Sequence, residues 1–164
     1  MKVTIIADAS HCHETGVGGF AFWVACRRGK RGSDGAFKVR PNSSTTAEAM
    51  ALCNALHFAI RTGLVLEGDV VLLQSDCEQA LRLFEGVRPP KNEHERKVKD
   101  LFLKLLAGKV TTEFRHVRGH SKEEGSRYVV NNICDRKARA HMRKARKKAL
   151  WDKAIGELKT TLGN

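Results

Sequence analysis

The chain has 164 residues, 41% of them hydrophobic, which is enough for one globular domain with a core of its own. No apolar run approaches the roughly 20 residues that cross a bilayer, so we do not expect a membrane protein. The formal net charge of +12 indicates an anionic partner, with nucleic acid ahead of an anionic membrane surface.

Cysteine and histidine usage favours reduced thiols over a disulfide framework or a zinc site. The five cysteines include no CxxC pair, which is typical of a cytoplasmic protein. His11-Cys12-His13 offers zinc-type ligands, but sequence neighbours seldom converge on one ion. We therefore interpret this tripeptide as the end of a strand that enters a turn.

The first 40 residues predict three strands joined as an antiparallel meander. The apolar segment Lys2–Ala9 predicts a core strand rather than a signal peptide. Phe20–Arg27 predicts a second strand, because it is rich in aromatic and β-favouring residues. The polar, glycine-rich segment Arg28–Gly35 predicts a hairpin loop, and Ala36–Arg40 predicts the returning third strand.

A helix follows the meander. Apolar residues at helical spacing predict it over Thr46–Arg61. Thr45 and Glu48 have the spacing of a capping box at its start, and Gly63 stands where a glycine commonly follows a helix.

The second half of the chain alternates strands and helices. It predicts a strand over Asp69–Ser75, helices over Cys77–Phe84 and Asn92–Leu106, a strand over Val110–Val117, and a last helix from about Arg127. Strands followed by such alternation indicate an α/β fold with a mixed sheet, in which the later strands join in parallel through helical crossovers.

Four carboxylates stand at the ends of these elements. Asp8 and Asp76 close apolar strands, where each also has the position of a helix or turn cap. Glu48 suits a capping box, and Asp135 suits a first-turn acid of the last helix. Taken singly, each of the four carboxylates can be explained by its place at a helix or turn terminus, without a catalytic role.

Taken as a set, the four carboxylates predict a metal site. The first and fourth strands can be neighbours that end at one edge of the sheet, where open α/β sheets usually build their sites. Four clustered carboxylates repel unless cations neutralise them, and oxygen ligands favour Mg²⁺ or Mn²⁺. Two such ions would clamp the attacking and leaving oxygens of a phosphodiester.

Four motifs carry a family resemblance over roughly residues 1–143. They are Asp8-Ala9-Ser10 in the first strand, Thr45-Thr46-Ala47-Glu48 at the start of the helix, Gln74-Ser75-Asp76 after the apolar strand, and Val117-Arg118-Gly119-His120-Ser121 followed by Asn131-Asn132-Ile133-Cys134-Asp135. In this order and on these elements they resemble type 1 ribonuclease H.

The resemblance implies a fold, an activity and a domain division. The fold is a five-stranded mixed sheet of order 3-2-1-4-5 flanked by helices, here with a basic C-terminal helical extension. Residues 1–143 would form the catalytic domain and residues 144–164 the extension. The activity is two-metal hydrolysis of the RNA strand of RNA–DNA hybrids, giving 5′-phosphate and 3′-hydroxyl ends, and no obligate protein partner is implied.

The resemblance also implies residue roles. Asp8, Glu48, Asp76 and Asp135 would hold two Mg²⁺ ions, and His120 would assist proton transfer or product departure. The positions that would contact substrate phosphate or sugar are Ser10, Thr45 and Asn131. The turn from His11 to Gly16 and the run Ser43-Ser44-Thr45 depart from the family pattern, which weakens the expectation of strict hybrid specificity.

The C-terminal segment holds most of the net charge. Residues 136–164 contain ten Lys/Arg and two Asp/Glu, a net +8 of the chain's +12. We interpret Arg146, Lys147 and Lys148, with Trp151 as a stacking group, as a substrate-binding tail. The alternative is an amphipathic helix whose apolar residues pack on the domain or on a partner.

Two other functions remain open from the sequence. One is a nuclease of the same fold that acts on DNA, such as a junction resolvase or an exonuclease. The other is a nucleic-acid-binding domain that has lost catalysis, since a fold alone does not guarantee an activity.

Overall fold

A single five-stranded sheet with four helices forms the structure, a computed structural model that describes residues 1–119 and 125–163. Along the chain the elements are β1 (Lys2–His11), β2 (Gly18–Cys26), β3 (Gly29–Ala36), α1 (Ser44–Arg61), β4 (Val70–Ser75), α2 (Glu78–Glu85), α3 (Glu93–Leu106), β5 (Thr111–His116) and α4 (Ser126–Leu162). The strand order is β3-β2-β1-β4-β5; β1 pairs with β2 antiparallel and with β4 parallel. The predicted fold class and strand order are confirmed.

The two faces of the sheet are covered by different helices. Phe22 of β2 packs against Phe58 of α1, whereas its neighbour Ala21 packs against Cys134 and Ala138 of α4. Successive residues of a strand point to opposite faces, so α1 and α4 lie on opposite sides. The main core lies on the α1 side, and the sheet presents its α4 side to the functional residues described below.

The third strand differs from its prediction. Gly29–Ala36 forms β3, joined to β2 by the two-residue connection Arg27-Arg28, whereas a loop was predicted over Arg28–Gly35 and a strand over Ala36–Arg40. As the edge strand, β3 is bonded to β2 alone and is mostly solvated. Polar and glycine residues are tolerated there, and they made the segment look like a loop.

The start of α1 also differs from its prediction. The N-cap is Ser43, whose hydroxyl accepts a hydrogen bond from the Thr46 N–H at 3.0 Å. Glu48 therefore lies five residues beyond the cap, and the predicted capping box with Thr45 is wrong. The helix ends at Arg61, as expected, with Thr62 as its C-cap and Gly63, at a φ of +71°, directly after it.

The last helix is one unbroken element of 37 residues, about 56 Å long. It rests directly on the backbone of β2 at Gly19, where a side chain would collide with the backbone of Ala138 and Met142. Lys137 and His141 both contact Asp34 of β3 at 2.7 Å, which ties the helix to the sheet edge. No helix among the described residues is long and apolar enough to cross a membrane.

Candidate metal centre

Three of the four predicted carboxylates form one cluster. Asp8 lies on β1, Glu48 on α1, and Asp76 directly after β4; each contributes an oxygen, and these oxygens all lie within 4.8 Å of one another. Because β1 and β4 are parallel neighbours, their carboxyl ends bring Asp8 and Asp76 to the same edge of the sheet. This part of the predicted site is therefore present in the fold.

Backbone and hydroxyl donors fix the cluster in place. The Ala9 N–H donates to Asp8 Oδ1 at 2.7 Å and to Glu48 Oε1 at 3.2 Å. The buried Ser75 hydroxyl donates to Glu48 Oε2 at 3.4 Å and accepts from the Cys77 N–H at 3.1 Å. Asp8 and Glu48 are thus held close together by the chain itself, although both carry negative charge when ionised.

This crowding raises the pKa of two carboxyls. Burial, followed by the charge of Asp76, raises the pKa of Asp8 from 3.8 to about 7. Burial, followed by the charges of Asp8 and Asp76, raises the pKa of Glu48 well above 4.5. The ionised forms are therefore unfavourable in this cluster unless a cation is present.

Asp76 does not cap the helix that follows it. The N-cap of α2 is Cys77, whose side chain makes no capping hydrogen bond, so the capping interpretation of Asp76 is wrong. The backbone at Gly119 approaches the Asp76 carboxylate so closely that a side chain at position 119 would collide with it. The loop after β5 therefore lies against the acidic cluster.

Asp135 lies near the cluster without belonging to its innermost group. It is the tenth residue of α4, in the third turn, so the prediction of a first-turn acid is wrong. Its charge contributes to the raised pKa of Asp8, which places it within electrostatic reach. Arg139, one turn later, donates to both Asp135 oxygens at 2.8 and 2.9 Å.

The other predicted site residues have varied surroundings. Ser10 on β1 and Thr45 in the first turn of α1 are half-buried near the cluster's edge of the sheet, and Thr45 contacts the Cys77 thiol. Asn131 is 1% exposed, one turn before Asp135, and both polar atoms of its amide lack a partner within the described residues. His120 lies outside the described residues.

The predicted tail residues lie on the distal half of α4. Arg146 donates to Glu14 at 2.7 Å and Lys148 donates to Asp152 at 2.7 Å, both at the surface. Lys147 lines a shallow surface with Lys144 and Trp151, whose side chain is 68% exposed. The described structure thus gives Arg146 an acidic partner on the β1–β2 turn.

The donor set of the cluster fits a hard divalent cation. All of its ligand atoms are carboxylate oxygens, the type that Mg²⁺ and Mn²⁺ prefer. The buried Asp8 Oδ2 has no hydrogen-bond partner among the described residues, as expected of an oxygen reserved for an ion. Within residues 1–119 and 125–163 this is the one group of three or more potential ligands, so His11-Cys12-His13 gains no support as a zinc site.

Comparison with protein families decides the identity of the fold. A family model described as RNase H matches residues 1–143. The chain belongs to the RNase H family. Members of this RNase H family are nucleases, and the four carboxylates of the predicted site all fall within the matched residues.

Solved structures of RNase H domains share the fold. The N-terminal RNase H domain of rv2228c from Mycobacterium tuberculosis superposes with a TM-score of 0.68 at 19% identity, covering 90% of this chain and 98% of that one. RNase H1 of Halobacterium salinarum gives 0.67 at 17%, covering 88% and 99%. LC11-RNase H1, solved in complex with an RNA/DNA hybrid, gives 0.68 at 17%, covering 87% and 98%. A search of curated proteins returns no match.

Sequence reasoning gave no role to two residues that shape this RNase H site. Ser75 orients Glu48, and its place inside the motif Gln74-Ser75-Asp76 is the signal that could have revealed it. Arg139 pairs with Asp135 from four residues away, a spacing that already indicates a helical ion pair.

Proposed function

We propose that this chain is an endoribonuclease that hydrolyses the RNA strand of RNA–DNA hybrids. In this proposal Asp8, Glu48, Asp76 and Asp135 hold two Mg²⁺ ions, which Mn²⁺ can replace. The products are 5′-phosphate and 3′-hydroxyl ends. The observation that carries the proposal is the acidic cluster, in which three carboxylates meet and Asp8 Oδ2 lacks a partner among the described residues.

The hybrid substrate is supported by one relative and by charge. LC11-RNase H1, which shares the fold, was solved with an RNA/DNA hybrid bound. The net charge of +12 suits a polyanion, because Lys and Arg side chains that contact phosphates release counterions on binding. An acidic centre in a basic protein is consistent with a site where phosphate itself completes the ligand set.

The protein's own groups prepare the site before substrate arrives. Ala9 N–H and the Ser75 hydroxyl fix the Asp8 and Glu48 carboxylates, so that little reorganisation is required on binding. When bound, the divalent ions supply Lewis-acid stabilisation of the charge that develops on the phosphate. Asp135 contributes its oxygens from α4, where it is paired with Arg139 before the ions bind.

Further residues would bind the substrate. We propose that Ser10, Thr45 and Asn131 contact its phosphate and sugar groups, and that His120 assists proton transfer or product departure. Lys147 and Lys148, with Lys144 and Trp151 beside them, would bind the nucleic acid beyond the cleaved position. Arg146 contributes there only if it exchanges Glu14 for phosphate.

The proposal is tested on a panel of end-labelled substrates in Mg²⁺. The panel comprises an RNA–DNA hybrid, RNA duplex, DNA duplex, single strands and a four-way DNA junction, with analysis of the product ends. Hybrid-selective cleavage that leaves 5′-phosphates is expected. Cleavage of the DNA substrates but not of the hybrid would assign the site to a DNA nuclease and overturn the proposed substrate.

A further inference from the structure

A polar pocket, separate from the acidic cluster, lies on the same face of the sheet. It has a volume of about 360 Å³, and Thr4, Gln74, Arg115 and Arg127 are among the residues that line it. Gln74 on β4 is in register with Ile6 on β1 and with Arg115 on β5. The pocket therefore lies over the central strands, on the side that carries α4.

The spacing between this pocket and the metal centre is set by the strands. Gln74 lies two residues before Asp76, and Thr4 lies four residues before Asp8. Even separations keep the side chains on one face, and a rise of about 3.3 Å per residue puts them about 7 and 13 Å from the cluster. A nucleic-acid strand has one phosphate per about 3.4 Å of helix axis, so this distance spans two to four nucleotides.

The walls of the pocket are positively charged. Arg115 and Arg127 are exposed, and within residues 1–119 and 125–163 neither forms an ion pair. The Arg127 guanidinium lies 5.2 Å from the centroid of the Tyr128 ring, which orients it without neutralising it. Several other basic residues of α4, among them Lys137, Arg139 and Arg146, already have acidic partners.

The N-terminus of α4 opens into the same pocket. Gly125 is its N-cap and has no side chain to satisfy the first backbone N–H groups, and Ser126 follows it. The end of a 37-residue helix carries a partial positive charge from these groups. Helix N-termini of this kind bind anions such as phosphate.

Gln74 is an independent indication that this pocket binds a ligand. Its side chain is only 2% exposed, and its Oε1 has no hydrogen-bond partner in the described part of the chain. A buried polar atom without a partner costs free energy, and a ligand in the pocket would remove that cost. A nucleotide offers both complements, because a phosphate oxygen accepts from the amide nitrogen and a ribose hydroxyl donates to Oε1.

We infer that this pocket binds one backbone phosphate of the cleaved RNA strand, two to four nucleotides from the hydrolysed bond. Arg115, Arg127 and the α4 N-terminus hold the phosphate, and Gln74 contacts the same nucleotide. The inference rests on the proposed function, because it takes the strand in the metal centre as the ligand. A phosphate held in this pocket would determine which nucleotide of the RNA strand lies over the acidic cluster.

The first test measures hybrid binding by fluorescence anisotropy, without metal, in protein that carries Asp76→Asn to prevent cleavage. Arg115→Gln with Arg127→Gln should weaken binding and lower the slope of log K against log salt by about 0.9, the value for one lost phosphate contact. Arg61→Gln, at the far end of α1 from Glu48, is the matched control and should leave the slope unchanged. Unchanged melting temperatures would show that the variants fold.

The second test locates the contact. Neutral methylphosphonate linkages are placed singly along the RNA strand, and the bond that the wild-type protein cleaves gives the reference position. One linkage, two to four nucleotides from that bond, should weaken binding to the parent protein about tenfold and have no effect on the double-arginine variant. Equal sensitivity of both proteins at every linkage, or a sensitive linkage only on the DNA strand, would overturn the inference.

The two proposals can fail separately. If the substrate panel shows no cleavage of RNA in hybrids, the proposed function fails whatever the arginine variants do. If hybrids are cleaved but the methylphosphonate scan shows no arginine-dependent linkage, the pocket assignment fails while the proposed function stands.

Discussion

Replacing Asp8 with Asn should stabilise the metal-free protein while abolishing the metal centre. The substitution removes a charge that the fold makes unfavourable and keeps the shape of the side chain. Because burial and the charge of Asp76 raise the pKa of Asp8 from 3.8 to about 7, the folded state binds this proton more tightly than the unfolded state does. The free energy of unfolding of the wild type should therefore fall as the pH rises from about 4 to about 7.

The expected magnitude follows from the size of this change. One pKa unit corresponds to about 1.4 kcal/mol, so burying Asp8 costs up to about 4 kcal/mol at pH 8, where the folded protein carries it mostly ionised. At pH 5 the cost is about 2 kcal/mol, because folding must then protonate a carboxyl that is mostly ionised in the unfolded chain. For a protein of this length, 1 kcal/mol shifts the melting temperature by about 2–4 °C. In EDTA, Asp8→Asn should thus melt about 8 °C or more above the wild type at pH 8, with a smaller difference at pH 5.

The assay is thermal unfolding of both proteins at pH 5 and pH 8, in EDTA and in Mg²⁺. Mg²⁺ should raise the melting temperature of the wild type at pH 8, because a ligand that binds only the folded state stabilises it, and it should have little effect on the variant. Asp100→Asn, which removes an exposed carboxylate of α3, is the control. The reasoning is refuted if Asp8→Asn is no more stable than the wild type at pH 8 in EDTA, or if the difference does not grow with pH.

Three further predictions concern α4. Gly19→Ala should destabilise the protein by about 2 kcal/mol or more in chemical denaturation, because its side chain would meet the backbone of α4, whereas Gly35→Ala, which meets only the Phe20 ring at ordinary contact distance, should cost far less. Arg139→Gln should lower the Mg²⁺ concentration for half-maximal cleavage about two- to fivefold, since it releases Asp135 from a competing ion pair; an unchanged Mg²⁺ titration would show that this pair does not compete. Neutralising Lys144, Lys147 and Lys148 of the distal helix should lower the salt slope of hybrid binding by up to about 3. Neutralising three exposed lysines of α3 and the turn after it, Lys97, Lys104 and Lys109, should leave the slope unchanged.

The sequence predicted those parts of the fold that depend on burial. Apolar runs located β1 and β4, and helical spacing located α1 and α3, because these elements must place apolar side chains against the core. The same argument predicted that Asp8 and Asp76 lie at one edge of the sheet, because it requires only that two buried strands be parallel neighbours. Glu48 lies in the cluster, although the capping box predicted for it at the start of α1 was wrong.

The remaining errors arose where burial does not constrain the sequence. The edge strand β3 bonds to one neighbour and is mostly solvated, so its residues carry little of a strand pattern. The cap of α1 depended on a choice among Ser43, Thr45 and Thr46, all of which are capable capping residues, and tertiary contacts decided it. The start of α4 was predicted to within one residue, so the first-turn assignment of Asp135 was wrong by that prediction too. Its pairing with Arg139 depends on where two side chains meet.

The most direct measurement of the central claim is cleavage of an RNA–DNA hybrid, labelled on its RNA strand, by the wild type and by Asp76→Asn. Both are assayed in Mg²⁺ and in EDTA, with Glu85→Gln on the exposed end of α2 as the control substitution. We expect the wild type and the control to cut the RNA strand in Mg²⁺ only, and Asp76→Asn to be inactive while still binding the hybrid. Cleavage by Asp76→Asn at the wild-type rate, or wild-type cleavage that persists in EDTA, would contradict the assignment of the acidic cluster as the metal-dependent catalytic centre.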